Sequence, residues 1–102
     1  LSKAHQAAFK SALKLTKSDV PAACSIWDQI SVEASNHAES WFNAGLCAEA
    51  RGDWAHARDL YLEAAALKPK ESAIRTAIKR VTETEMTRAA IDARWAWIEG
   101  RH

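Results

Sequence analysis

The chain has 102 residues, 48% of them apolar and 26% charged, with a net charge of +1. That length makes one domain with a modest core, and the near-neutral balance gives no global case for nucleic acid or an anionic membrane as partner. No apolar stretch is long enough to span a bilayer and no secretory leader pattern is present. Three Gly and two Pro leave long stretches without a breaker, Ala is abundant, and an all-α fold is expected.

Residues 3–16 read as a first helix, with Phe9 and Leu13 four apart and Ala8, Ala12 and Leu15 nearby. The polar break Thr16-Lys17-Ser18-Asp19 offers Ser18 or Asp19 as N-cap to a second helix over 20–33, and Pro21 suits its first turn. Ala23, Ile26, Trp27 and Ile30 run along one face of that helix. Ser35-Asn36-His37 is a turn in which Asn36 caps a third helix over 38–50, with Glu39 placed as in a capping box. Trp41, Ala44 and Ala48 share a face of this helix, and Gly45 is the smallest residue on it. Gly52 fits the position just past its end, and Asp53 caps a fourth helix over 54–67, where Ala57, Leu60, Tyr61, Ala64 and Leu67 stand at helical spacing. Pro69 closes that helix. No Gly, Pro or Asn occurs from residue 70 to 99, which favours one continuous helix of about 27 residues over two joined near Glu85-Met86-Thr87.

The chain repeats itself. Ala57, Tyr61 and Ala64 recur one period of about 34 residues earlier as Ala23, Trp27 and Ile30, and Gly52-Asp53-Trp54 recurs as Ser18-Asp19-Val20. In the stretch 41–69, Trp41, Gly45, Ala57, Tyr61 and Pro69 stand at the spacing of one helix-turn-helix unit, and this stretch resembles the tetratricopeptide repeat family. Ala44 and Ala48 depart from the family pattern, being smaller than its usual Leu and Tyr. The resemblance implies a helical-repeat domain over 1–97: antiparallel pairs at about 4–37 and 38–71, then a capping helix over 71–97. The first pair matches well only in its second helix. A full period back from Trp41 and Gly45 stand Ala7 and Ser11, whereas a step two shorter reaches Phe9 and Leu13, so the first helix is expected two positions out of register. Forward, Ala57, Tyr61 and Ala64 map onto Ile91, Trp95 and Ile98. Gly45 and Ala57 allow two helices to approach closely, and Trp41, Leu60 and Tyr61 fill the space around that contact. One such pair cannot bury its apolar face alone and must stack on neighbours.

Little in the chain carries chemistry. Cys24, His37, Cys47 and His56 are too far apart to form the close ligand pairs of a zinc site, the glycines stand singly, and no nucleophile has an assignable partner. No enzyme activity, metal or cofactor is expected. Cys24 and Cys47 read as small buried fillers, a bond between them being open, and free cysteines lean toward a reducing cytoplasm.

A protein–protein interaction module, a scaffold or adaptor, is what the resemblance implies: a peptide or helix of another protein held in a concave groove, with no nucleic acid and no membrane involved. By resemblance the groove side includes Glu39, Phe42, Asn43, Leu46 and Glu49. Asn43 matches one position of the carboxylate clamp found in some family members, but the other positions hold Ala8, Ala12, Ala73 and Ala77, which argues against such a clamp. Glu39 and Glu49 instead suit an apolar or basic segment. The alternative is self-association. The last helix has two apolar stripes, Ile91/Trp95/Ile98 and Met86/Ala90/Ala93/Trp97, of which only one can face the preceding pair squarely. Ile91, Trp95 and Trp97 are thus candidates for a homo-oligomer contact. Residues 98–102, Ile-Glu-Gly-Arg-His, resemble a protease-cleavage linker followed by the start of a histidine tag and read as vector-derived. The start at Leu1, not Met, reads as a cut fragment.

Overall fold

The computed structural model describes the backbone of residues 1–98 and the side chains of residues 1–94; the vector-derived reading of 98–102 and the side chains of Trp95 and Trp97 fall outside that range. Among the described residues there are five helices and no strand: α1 (Lys3–Leu15), α2 (Val20–Glu33), α3 (Ala38–Ala50), α4 (Trp54–Leu67) and α5 (Ser72–Ile98). Local chemistry sets the boundaries. Asp19 caps α2 by accepting from the Ala22 amide at 3.1 Å, with Pro21 in the first turn, where its missing N–H costs nothing. Gly52 ends α3 at φ +78°, the left-handed region that side chains avoid, and Asp53 then caps α4. α5 runs through the breaker-free stretch without interruption.

Short turns make successive helices antiparallel. His5 at the start of α1 meets Glu33 at the end of α2 at 2.9 Å, and Arg58 of α4 meets Glu85 of α5 at 3.0 Å. Two apolar clusters result. One holds Ala12, Ala23, Cys24, Trp27 and Cys47 between α1, α2 and α3; the other holds Ala44, Ala48, Ala57, Leu60, Tyr61, Ala77 and Val81 between α3, α4 and α5. The second depends on one close approach. Tyr61 is fully buried with its ring laid on Gly45, where an added methyl would sit 3.1 Å from Cζ and nearer still to Cε1 and Cδ1.

Four expectations are corrected. In α1 the buried small residue is Ala12, one short of a full period before Gly45, while Leu13 remains 48% exposed, so the register is one position out and not two. The N-cap of α3 is His37, not Asn36, and it makes no side-chain cap bond; Glu39 turns to His37 and Lys68 instead of closing a capping box. Cys24 and Cys47 are joined by a disulfide between the first half of α2 and the end of α3, with a Cα–Cα distance of 5.9 Å. They are thus a cross-link and not free fillers, and the ground for the cytoplasmic lean goes with the free thiols. Finally, the described members of both α5 stripes, Met86, Ala90, Ile91 and Ala93, are exposed and not covered by the preceding pair. At 1.5 Å per residue, α5 is about 20 Å longer than α4, and from Met86 to Arg94 every residue is exposed.

Adding a methyl at Gly45 tests the close approach. Gly45→Ala gains helix propensity but drives a carbon into the Tyr61 ring, and overpacking of this kind costs about 1–3 kcal/mol. Urea denaturation is expected to show a net loss of stability; a gain would show that the Tyr61 ring yields freely.

Candidate functional site

The first helices of the two pairs, α1 and α3, and the start of α5 surround a cavity of about 360 Å³, lined by Phe9, Ala38, Glu39, Phe42, Asn43, Lys68, Glu71, Ala73 and Ile74. Aromatic packing sets its walls. Phe9 meets the His37 ring edge-on at 5.2 Å between centroids and lies 6.5 Å from Trp27; Phe42 lies 5.4 Å from Tyr61. Apolar residues recur on the lining helices as i, i+4 pairs: Phe9 and Leu13 on α1, Phe42 and Leu46 on α3, Ile74 and Ile78 on α5.

Of the residues expected on the groove, Glu39, Phe42 and Asn43 line the cavity. Asn43 is half-buried, and among the described residues no hydrogen bond engages its carboxamide. Leu46 stands beyond the cavity, 40% exposed, one helical turn past Phe42. Glu49 does not line it. Its carboxylate accepts from the Tyr61 hydroxyl at 2.7 Å and from Arg80 Nε and Nη2 at 2.6 and 2.7 Å, a bidentate pair that fastens α5 to α3. The Arg80 guanidinium holds this carboxyl below the ordinary carboxylate value, while burial and Glu49 push the Tyr61 hydroxyl up. Glu39 is likewise occupied: Lys68 donates to Oε1, His37 Nε2 lies 3.2 Å from Oε2, and the Lys68 bond holds its carboxyl low. The two carboxylates expected to attract a basic segment are therefore neutralised within the chain, a correction to that expectation. The missed contributors are Phe9 and Ile74, which stand one and two residues short of a full repeat length before and after Phe42, so the repeat offset points near them but reaches Ala8 and Thr76 instead.

The expected self-association residues lie on the α5 overhang. Ile91 is 44% and Met86 67% exposed. Among the described residues no three His, Cys, Asp or Glu side chains converge as a metal site would need, and no helix is long and apolar enough to cross a membrane. Compared with known proteins, the chain matches no family model, no curated protein and no solved structure.

His37 sits at the hub of this site, against Phe9, with Nδ1 2.7 Å from the buried Ser40 hydroxyl. Burial lowers its pKa below the ordinary 6.5, and Glu39 opposes this without cancelling it. The unfolded chain therefore takes up this proton before the folded chain, and stability falls as the pH drops below 6.5. Glu39 and Glu49 have folded pKa values depressed from 4.5; their contribution is present above that value and is lost as the pH falls through the lower folded range. The unfolding temperature is expected to fall in two stages on acidification, and His37→Gln to remove the first alone. A first stage that persists in His37→Gln would assign it to another group.

Proposed function

We propose that the chain is a tetratricopeptide-like module that binds a segment of another protein on the face formed by α1, α3 and the start of α5. The observation that carries this reading is the cavity of about 360 Å³ with Phe9, Phe42 and Ile74 on its walls and the unengaged amide of Asn43 beside them. Small concave sites of this make-up, mostly apolar with a few polar groups, are what recognition of a side chain requires. The family reading rests on Trp41, Gly45, Ala57, Tyr61 and Pro69 and on the laying of Tyr61 against Gly45. The module acts by recognition, without catalysis.

A displayed peptide library selected on the protein tests the groove. Phe42→Glu puts a charge on the apolar wall and is expected to cost selected ligands at least about 2 kcal/mol, roughly thirtyfold in Kd. Val32→Glu, at an exposed site elsewhere, is expected to change nothing. Selected ligands that bind Phe42→Glu as well as the unmodified protein would remove the groove from consideration.

A second reading, self-association through α5, is favoured by the uncovered Met86 and Ile91 on the overhang. Sedimentation velocity across a concentration series is expected to show a reversible dimer that Ile91→Glu converts to monomer. A monomer at every concentration would eliminate it.

A further inference from the structure

The helix face that carries Phe9 and Leu13 is bordered by a row of lysines. Lys3, Lys10 and Lys14 fall within about 40° of one another on the α1 helical wheel, about 60–100° round from Leu13 on the side away from the buried Ala12, with Lys10 nearest to Leu13. All three are exposed, α1 contains no acidic residue, and among the described residues none of them has a carboxylate partner. Lys10 precedes Asn43, which lines the cavity, by the same offset that separates Phe9 from Phe42 and Leu13 from Leu46. On the cavity wall Glu39 is already held by Lys68, and farther along α3 Glu49 is held by Arg80. Glu71, which also lines the cavity, is exposed and has no cation partner among the described ion pairs; set against that one carboxylate, the three α1 lysines leave this face net positive, beside exposed leucines at 13 and 46.

Resting on the groove reading above, we infer that the partner is an acidic amphipathic helix, whose apolar stripe seats against Phe9, Leu13, Phe42 and Leu46 while its carboxylates meet the α1 lysines. An extended segment is the poorer fit. Its backbone N–H and C=O groups would face a surface whose unengaged polar groups are few, the Asn43 amide and the Glu71 carboxylate, whereas a helix satisfies its own. A concave wall with a side-chain-sized cavity also fits a helix with a protruding anchor better than a flat lipid surface. The lysines add steering and select against basic partners, so binding weakens with salt.

The test uses synthetic helices of about 18 residues, long enough to be helical when bound. One carries a Leu stripe and a Glu-rich polar face; its twin has Lys in place of Glu; a third keeps Glu but replaces the Leu stripe with Ala. Fluorescence anisotropy is expected to show the Glu/Leu helix binding about tenfold or more tighter than its Lys twin, with the advantage lost at high salt. The Ala version is expected to bind at least about tenfold more weakly than the Glu/Leu helix. Lys3→Glu/Lys10→Glu, placed away from the helix C-terminus where an acid would oppose the dipole, is expected to abolish the preference while circular dichroism stays unchanged. Leu13→Ser/Leu46→Ser, two exposed sites, is expected to weaken the Glu/Leu helix and leave folding intact. A Lys twin that binds equally or more tightly, or an Ala version that binds as well as the Leu one, overturns the inference. Binding of phosphatidylserine vesicles that exceeds binding of the Glu/Leu helix and is lost in Lys3→Glu/Lys10→Glu overturns it in favour of a membrane. If no helix binds, it is likewise overturned; the library selection with Phe42→Glu then decides separately whether the groove itself binds anything.

Discussion

The rest of the molecule hangs on the contact between a glycine and a tyrosine. Because residue 45 has no side chain, the Tyr61 ring lies flat against α3 and becomes fully buried. That placement sets the phenol hydroxyl 2.7 Å from Glu49, and the same carboxylate takes both arms of the Arg80 fork. One close approach thus fixes α4 on α3 and, through a single shared carboxylate, α5 on both. The cavity follows from it, since its α5 wall, Ala73 and Ile74, stands two turns before Arg80 on the same helix. A bidentate ion pair with a hydroxyl on its remaining lone pairs is among the stronger polar joints available at a half-buried site.

The charge pattern of the groove has the same origin. A carboxylate in the first turn of α3 and another in its last turn look, in one dimension, like an acidic surface. In three dimensions each meets a cation brought from a distant part of the chain, Lys68 for Glu39 and Arg80 for Glu49. On α1, which has no acid of its own, Lys3, Lys10 and Lys14 keep their charge without a carboxylate partner among the described residues. The face is therefore defined less by which charges it contains than by which of them the fold has already used.

Much of the helix layout is legible in the sequence because it depends on local chemistry. Asp19, Pro21, Gly52, Asp53 and Pro69 act within a turn of where they stand, and the helix limits agree closely with the breakers. Phe42 and Asn43 come together with Glu39 because all three share one face of α3, a fact of helical spacing. What escapes a linear reading depends on comparing equals or on distant pairing. In α1, alanines at 7, 8 and 12 are equally small, so nothing local says which one the second helix covers. Asn36 and His37 both stand where a cap is wanted, and packing of His37 against Phe9 and Ser40 decides between them. The disulfide joins positions on two helices that must first pack correctly. Glu49 gives no sign in the sequence of the arginine it will meet.

The cross-link between Cys24 and Cys47 has a mechanical consequence. Proteins built from stacked helical pairs contact only their neighbours, so the joint between pairs is where such molecules bend and where they come apart first. Here that joint is bridged by a covalent bond from α2 to α3. Phe9 belongs to the pair on one side of it and Phe42 to the pair on the other, so the two aromatic walls of the cavity cannot swing apart without straining a chemical bond. The spacing of the two halves is therefore set during folding, so any segment held between Phe9 and Phe42 would meet walls already ordered.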